Sequence, residues 1–312
     1  AYRAIPPAAA RAAATILFAV ADSERYRRIA LVEPLEAIGL EPDRMARRAF
    51  EECFWRAADD DDANLTEDAK FQEVRRTLDT ERAMDAIDRH LLARGANLLA
   101  LALDDAARAL EDAAPFAATA LDATFDTDLG PVRISGTGTD VHDRHTLLAI
   151  DLGGADTWYR GGQSSGTMDH PIGIAIDVAG DDRYHAPSTE AWLDRIRNGP
   201  KPGADDFVQE RPTDHEPSFG SGVGGYGFLV DLSGDDEYIA PIAGLGCGLL
   251  GHGGLVDHAG DDRYRGDAGA MGSGTFGTGV LADLGGDDEY RLFHKGMGYG
   301  GTLGAEIGRA HV

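Results

Sequence analysis

The first 125 residues carry apolar side chains at the spacing of amphipathic helices. Phe50 and Phe54 lie four residues apart, which places them on one face of a helix. A longer helical pattern runs to Gly95, a residue type that commonly ends helices, and the next pattern begins at Asn97, a good N-cap. We therefore predict a helical domain of about four to five helices over residues 1–125.

The second part of the chain contains a ten-residue sequence in five copies: AIDLGGADTW, AIDVAGDDRY, LVDLSGDDEY, LVDHAGDDRY and LADLGGDDEY. The third residue of each copy is here called the leading Asp: Asp151, Asp177, Asp231, Asp257 and Asp283. A second Asp follows five residues later: Asp156, Asp182, Asp236, Asp262 and Asp288. An aromatic residue ends each copy: Trp158, Tyr184, Tyr238, Tyr264 and Tyr290. The leading Asp residues are 26, 54, 26 and 26 residues apart, so the period is 26 with one insertion of 28.

A short unit of this kind, without a helical stretch, is typical of one coil of a β-solenoid, in which equivalent residues stack about 4.8 Å apart. Propeller blades need about 40 residues, and a doubly wound fold needs helices between its strands. We predict an α+β multidomain protein, with a β-solenoid of about five coils over residues 126–305 and an insertion at 187–217. The final EIGRAHV reads like a translated sequencing adapter. We therefore expect a truncated metagenomic gene with a non-native tail at 306–312.

Apolar and polar residues alternate within the repeat, as expected for β-strands. Leu148, Ile150 and Leu152 share one face of the first strand, and we predict that this face forms the core of the solenoid. The opposite face carries the leading Asp beside apolar residues such as Ala149 and Leu229. We expect the helical domain, the insertion or another chain to cover that second face.

The composition is strongly acidic, with 54 acidic and 29 basic residues and a formal net charge of −25. This charge argues against nucleic-acid binding, which needs basic surface, and against docking on anionic membranes. No apolar run reaches the roughly 18 residues of a membrane span. Cys53 and Cys247 lie far apart in the chain and form neither a disulfide framework nor a metal motif, so we predict buried free thiols.

The core of the repeat resembles part of a calcium-binding motif. Gly286, Asp288 and Tyr290 match the fourth, sixth and eighth places of G-G-x-G-x-D-x-U-x, the motif of the RTX (repeats-in-toxin) family. Asp283 and Leu284 stand where that family has two glycines, and the unit here recurs every 26 residues rather than every nine. The resemblance implies a related way of building the turn of a solenoid, with Ca²⁺ as the candidate cofactor.

The stacked aspartates have two interpretations. Carboxylates about 4.8 Å apart repel by roughly 3–4 kcal/mol at an effective dielectric of 20, and bound Ca²⁺ would relieve that repulsion. Alternatively, each leading Asp accepts hydrogen bonds from the N–H groups of its own turn. Under the first interpretation, the candidate metal ligands are Asp151, Asp156, Asp177, Asp182, Asp231, Asp236, Asp257, Asp262, Asp283 and Asp288.

Two other patterns give weaker indications of chemistry. HDRH (142–145) and GHGGLVDH (251–258) contain candidate metal-binding histidines, but neither has a third ligand at a zinc spacing. GSGTFG (272–277) matches the dinucleotide fingerprint G-x-G-x-x-G. The same glycine pattern recurs with the repeat, and no predicted helix follows it, so we predict no nucleotide cofactor.

The aromatic positions and the insertion supply candidate ligand-binding residues. A row of aromatic rings either stabilises the stack or, where exposed, holds carbohydrate. The insertion combines a short predicted helix with a proline-rich polar loop, the kind of projection that often carries a binding site. The candidates are Trp158, Tyr184, Trp192, Arg195, Tyr238, Tyr264 and Tyr290.

These observations predict a non-enzymatic repeat protein that is extracellular, periplasmic or on the cell surface. It would bind a protein or carbohydrate partner, with Ca²⁺ in the Asp-rich turns. The alternative is a β-solenoid polysaccharide lyase or hydrolase whose site lies near residues 187–217. No Ser–His–Asp signature, cysteine nucleophile motif or HExxH sequence is present to support a named catalytic centre.

Overall fold

Helices occupy the first part of the chain and strands the second. The structure is a computed structural model that describes residues 4–54, 67–117, 119–164, 169–187, 189–198, 217–294, 296–297, 299–301 and 304–309. The helices are α1 (Pro7–Arg27), which continues through a π-helical turn (Arg28–Val32) into α2 (Glu33–Ala37), then α3 (Pro42–Phe54), α4 (Glu67–Ala86) and α5 (Arg89–Glu111). A sixth helix, α6 (Thr189–Asn198), lies in the insertion. The predicted α+β layout is confirmed.

The prediction that Gly95 ends a helix was wrong. Asp88 caps the N-terminus of α5 by accepting the Leu91 N–H at 3.0 Å, and the helix continues through Gly95. A Cβ at position 95 would overlap the hydroxyl of Tyr226, which donates a hydrogen bond to the Leu92 carbonyl at 2.9 Å. The glycine therefore lets the helix approach a strand of the sheet region.

The strands form three sheets. The strands are β1 (Asp122–Thr127), β2 (Gly130–Ser135), β3 (Val141–His142), β4 (Leu148–Asp151), β5 (Thr157–Trp158), β6 (Ile172–Asp177), β7 (Arg183–His185), β8 (Gly222–Val223), β9 (Tyr226–Asp231), β10 (Glu237–Ile242), β11 (Gly248–Leu249), β12 (His252–Asp257), β13 (Arg263–Ala268), β14 (Gly274–Thr275), β15 (Thr278–Asp283), β16 (Glu289–His294) and β17 (Ala305–Arg309). The first sheet has the order β1-β2-β4-β6-β9-β12-β15-β17, the second β16-β13-β10-β7-β5-β3, and the third β14-β11-β8. Only β1 and β2 are antiparallel among the described strand pairs.

The repeat positions align across neighbouring strands. In the first sheet Asp151 pairs with Asp177, and Asp177 pairs with Asp231, although the insertion separates the latter two along the chain. Equivalent aromatic positions align in the second sheet, where Trp158 pairs with Tyr184. The insertion therefore leaves the register unchanged. At the other end β17 pairs with β15 and includes residues 306–309 of the predicted tail, and the origin of that tail stays a prediction.

The two faces of the first sheet are the reverse of the prediction. Leu148 and Ile150 belong to a core that also contains helix residues such as Ile16 and Leu99. Ala149 and the other residues on the leading-Asp face pack instead with the aromatic rings of the second sheet. The leading aspartates therefore lie between the two large sheets, and the helices cover the face that we had predicted to be the core. Alternation could not reveal this, because both faces are buried.

A degenerate repeat at residues 134–142 precedes the five copies. Ile134 pairs with Ile150, and His142 pairs with Trp158. Ser135 and Asp140 thus occupy the places of the leading and second Asp. The sequence search missed this unit because serine replaces the leading Asp and the unit lies 16 rather than 26 residues before the first copy.

Candidate cation-binding corners

Each repeat turns from the first sheet to the second at a short segment that we call the Asp corner. It consists of the leading Asp, the second Asp and the residues between them. In the second repeat, β6 ends at Asp177 and β7 begins at Arg183, directly after Asp182. Because the corners follow the register of the sheets, their carboxylates stack on one another.

A glycine in each corner is required by the corner stacked on it. A Cβ on Gly286 would overlap the carbonyl oxygen of Gly260, and a Cβ on Gly260 would overlap that of Gly234. The adjacent Gly285 has room, since the nearest atom to its Cβ would be the His258 carbonyl oxygen at 3.6 Å. Stacking therefore explains the glycine that all five copies share.

We expect Gly286→Ala to lower the free energy of unfolding by about 3 kcal/mol, because the added methyl group must push two corners apart. Gly285→Ala is the matched control, one residue away in the same turn, and should change stability by less than about 0.5 kcal/mol. Urea unfolding of both variants measures the difference. Equal midpoints for the two variants would contradict this account of the stacking.

In four of the five copies the leading Asp stabilises its own turn, as the local interpretation predicted, whereas Oδ1 of Asp257 is buried without a described hydrogen bond. In those four copies Oδ1 of the leading Asp accepts the N–H of the residue two positions later: Gly153 to Asp151 at 3.0 Å, Ala179 to Asp177 at 3.0 Å, Ser233 to Asp231 at 3.1 Å and Gly285 to Asp283 at 3.2 Å. These bonds form Asx turns. They use one carboxylate oxygen and leave the other free for a different role.

The second Asp links one repeat to the next. Its Oδ1 accepts the N–H of the equivalent residue one repeat earlier: Asp156 to Asp182 at 2.5 Å, Asp182 to Asp236 at 2.6 Å, Asp236 to Asp262 at 2.7 Å and Asp262 to Asp288 at 2.9 Å. The other oxygen, Oδ2, is buried without a described hydrogen-bond partner in Asp156, Asp182, Asp262 and Asp288. A buried carboxylate oxygen without a donor or a cation is costly.

The carboxylates converge in groups of three. Each all-Asp triad takes the leading and second Asp of one repeat and the second Asp of the repeat before it, and the candidate ligand atoms lie within 4.8 Å of one another. The four triads are Asp156–Asp177–Asp182, Asp182–Asp231–Asp236, Asp236–Asp257–Asp262 and Asp262–Asp283–Asp288. Nine of the ten candidate aspartates are at most 2% exposed. These clusters could hold metal ions.

Burial and neighbouring carboxylates favour the protonated form of these groups. They raise the pKa of Asp156 to about 7, with Asp151 the main neighbour. They raise the pKa of Asp262 to about 9 and that of Asp236 to about 11. Burial and nearby carboxylates also raise the pKa of Asp177 and Asp231 well above the usual range. Each corner therefore needs a positive charge, whether a proton or a cation.

The aromatic row lies inside the stack. Neighbouring rings stack at centroid distances of 4.5 Å for Tyr184 and Tyr238, and 4.8 Å for Tyr238 and Tyr264. Trp158, Tyr184, Tyr238 and Tyr264 are fully buried, whereas Tyr290 in the last repeat is partly exposed. The buried rings stabilise the stack and offer no surface to a glycan.

The first corner contains a histidine in place of one aspartate. His142 lies with Asp151 and Asp156 in a fifth candidate group. Its Nδ1 is 3.2 Å from an Arg133 nitrogen, which can only donate. Nε2 therefore carries the ring hydrogen and donates it to Asp151 Oδ2 at 2.9 Å. His142 thus has no free lone pair for a metal in this arrangement.

Protein donors occupy both oxygens of Asp151. Its Oδ2 also accepts the Ser135 hydroxyl at 2.6 Å, in addition to the His142 bond. Arg133 forms ion pairs with Asp140 at 2.8 Å and with Asp122 at 2.9 Å, and so places a fixed positive charge at this end of the stack. The sequence search missed Arg133, Ser135 and Asp140 together with the degenerate repeat. The metal assignment of Asp151 stays a prediction, and the four all-Asp triads are the stronger candidates.

The remaining predicted ligand residues lie away from the corners. Trp192 on α6 is buried and packs with Leu193 and Ile239. The side chain of Arg195 and residues 199–216 lie outside the described part of the chain, so most of the predicted insertion site falls there. Cys247 is buried, as predicted, and its Sγ accepts the Ser273 hydroxyl at 3.5 Å, whereas the side chain of Cys53 lies outside the described part of the chain.

Comparisons with known proteins leave the family of this chain open. No protein-family model matches the sequence, no similar curated protein was found, and no solved structure matches the fold. Within the described residues, no helix has both the length and the apolar character needed to cross a membrane. Any function must therefore be argued from the corners themselves.

Proposed function

We propose that this chain is a non-enzymatic β-solenoid repeat protein whose Asp corners bind a row of Ca²⁺ ions. The observation that carries the proposal is the set of buried, unpartnered carboxylate oxygens on residues of the four triads. Bringing one such group into the protein without a partner costs several kcal/mol. A divalent cation supplies the missing partner for two or three of them at once.

The donor set favours calcium over other divalent metals. Each triad offers carboxylate oxygens alone, the ligands that Ca²⁺ and Mg²⁺ prefer, whereas transition metals favour nitrogen or sulfur. Two oxygens on one Ca²⁺ are at most about 5 Å apart, given bond lengths of about 2.3–2.6 Å. The candidate ligand atoms of each triad lie within 4.8 Å of one another, which is inside that limit. Mg²⁺ needs shorter bonds and keeps several waters, which a buried triad accommodates poorly.

Charge balance supports one cation per triad. The four triads share nine aspartates, because three second Asp residues belong to two triads each. Four divalent cations would therefore bring eight positive charges to nine carboxylates. The nine aspartates account for part of the acidic excess of the chain, whose net charge is −25.

The bound cations would connect successive repeats. In the triad Asp156–Asp177–Asp182, one carboxylate comes from the first repeat and two come from the second. A cation at this place ties the two repeats together, so binding and folding become coupled. Calcium-binding modules outside cells bind the ion at about 10⁻⁴–10⁻³ M, and we propose that the corners of this chain are sites of that kind. We therefore retain the predicted extracellular, periplasmic or surface location and a protein or carbohydrate partner as parts of the proposal.

A catalytic role for these carboxylates is the weaker alternative. A general acid must reach the bond that it protonates, and Asp177, Asp231 and Asp257 have no exposed surface. A polysaccharide cannot approach groups in that position. A solenoid lyase or hydrolase would need its site elsewhere, in the insertion that was its predicted place.

Metal content after dialysis against calcium tests the proposal directly. We expect about four Ca²⁺ per chain, one for each all-Asp triad. Asp182→Asn alters two triads and should reduce the content to about two, whereas Asp181→Asn should leave it unchanged. Asp181 is the matched control because it is the exposed neighbour with the same charge. A chain that retains no calcium, or equal losses in both variants, would refute the proposal.

A further inference from the structure

Rings of the stack donate hydrogen bonds to Oδ2 of four of the five leading aspartates. Three of these bonds run from the ring of one unit to the leading Asp of the next unit, whereas Tyr290 donates to Asp283 of its own unit and the Tyr264 hydroxyl is buried without a described acceptor. Tyr184 donates to Asp231 at 2.6 Å, and Tyr238 donates to Asp257 at 2.7 Å. His142 of the degenerate repeat donates to Asp151 in the same way.

Trp158 supplies no such bond to Asp177. It occupies the ring position of the first repeat, and the leading Asp of the next repeat is Asp177. The indole N–H of Trp158 is buried without a described acceptor, and Oδ2 of Asp177 is buried without a described donor. Asp177 is therefore the leading Asp whose Oδ2 receives no hydrogen bond from the aromatic row.

The consequence is a triad with three unpartnered oxygens. Oδ2 of Asp156, of Asp177 and of Asp182 each has no described hydrogen-bond partner, and the three residues are 2%, 0% and 2% exposed. In the next triad, Asp231 already accepts the Tyr184 hydroxyl. A cation that enters that triad must share an oxygen with a hydroxyl hydrogen, whereas in the Asp156–Asp177–Asp182 triad it would replace only the hydrogen bond between the Asp177 and Asp182 carboxyl groups themselves.

We infer that the triad Asp156–Asp177–Asp182 is the primary divalent-cation site, which binds the first and most tightly held ion of the row. This inference rests on the proposed cation-binding function and adds an order of filling to it. Tryptophan at position 158 leaves this oxygen of Asp177 open, because position 158 lacks the hydroxyl that Tyr184 and Tyr238 donate to the leading Asp of the next unit.

Trp158→Tyr tests the inference, since it restores the residue type of the later repeats. We expect calorimetric titration with Ca²⁺ to show the first binding step weakened about tenfold, the equivalent of one hydrogen bond to a charged group. Trp158→Phe is the matched control, because it removes the indole but supplies no hydroxyl. The first Ca²⁺-binding step of Trp158→Phe should keep the wild-type affinity.

Terbium provides an independent readout of the order of filling. Tb³⁺ is a luminescent substitute for Ca²⁺ that an adjacent indole sensitises. With tryptophan-selective excitation, luminescence should rise with the first equivalent of Tb³⁺, level off during later equivalents, and fall to the contribution of Trp55 and Trp192 in Trp158→Phe. A signal that rises only with later equivalents would overturn the inference.

A second pair of variants keeps the inference testable if position 158 does not tolerate change. Asp177→Asn should remove the tightest Ca²⁺ step, and Asp231→Asn should leave it in place. Equal effects of the two variants would overturn the primary-site inference while leaving the row of cations intact. Absence of Ca²⁺ and Tb³⁺ binding to the unaltered chain would instead refute the proposed function, so the two failures are distinguishable.

Discussion

Calcium at millimolar concentration is expected to raise the midpoint of thermal unfolding by at least about 10 °C relative to the protein in chelator. One site at a hundredfold excess of ligand over Kd stabilises the folded chain by about 2.7 kcal/mol, so two such sites contribute about 5 kcal/mol. Each kcal/mol shifts the midpoint by about 2–4 °C in a chain of this size. Differential scanning calorimetry measures the shift.

Two controls separate binding from general screening. The chain has a net charge of −25, so any salt relieves some repulsion. NaCl at matched ionic strength and Mg²⁺ at matched concentration should therefore produce much smaller shifts than Ca²⁺. Asp182→Asn should lose much of the calcium response and keep or gain stability in chelator, because it removes a buried repulsive charge. A calcium shift no larger than that of Mg²⁺ would contradict calcium binding at the corners.

Without calcium, the protein is expected to lose stability as the pH rises from about 6.5 to 8.5. The pKa values of Asp156, Asp262 and Asp236 are raised to about 7, 9 and 11, chiefly by burial. In this pH window the folded chain holds protons that the unfolded chain, with carboxyl pKa values near 4, has released. The contribution of these groups to the free energy of unfolding is therefore present at the lower pH and is lost as the pH rises through their folded-state pKa values.

The size of this effect follows from proton linkage. Each carboxyl group that is protonated only in the folded state contributes a slope of about 1.4 kcal/mol per pH unit. Two such groups would lower the free energy of unfolding by about 5 kcal/mol over two pH units. The window begins at 6.5 because burial lowers the pKa of His145 and His252 to about 4. Below pH 6.5 those histidines act in the opposite sense, since the unfolded chain binds their protons more readily.

Urea unfolding in chelator at pH 6.5, 7.5 and 8.5 measures this dependence. The double variant Asp236→Asn and Asp262→Asn should flatten the curve, because two of the titrating groups are gone. With saturating Ca²⁺ the stability should no longer fall, since the cation binds the deprotonated carboxylates. A wild-type protein in chelator whose stability is constant or increases over this range would contradict the protonated corners.

Much of the sheet region could be predicted from the repeat alone. The period of 26 placed Asp177 and Asp231 in equivalent positions despite the insertion, and the structure pairs them. The tight turn between the leading and second Asp was also predictable, because Asp and Gly are the residue types that such turns require. Local side-chain and backbone chemistry was sufficient for these features.

Other features depended on partners that are distant in sequence. Gly95 interrupts a helical pattern and was predicted to end a helix, but it lies within α5 because Tyr226 needs the space of a side chain. The degenerate repeat lacks the leading Asp, and its role is visible through the pairing of Ile134 with Ile150 and of His142 with Trp158. A sequence pattern contains residue types and their spacing, but not the contacts between residues that are distant in the chain.

The sequence by itself determined the repeat, its register and the acidic corners, because a strict period forces equivalent residues to stack. Only the tertiary structure decided which face of the first sheet is inside. Both faces are apolar, and one packs against helices while the other packs against aromatic rings. The alternation of residues along the strand therefore could not indicate which face lies between the sheets. That decision places the leading aspartates between the sheets with the rings. A stacked carboxylate in water needs no partner, whereas the same carboxylate in the interior requires a hydroxyl, a proton or a cation.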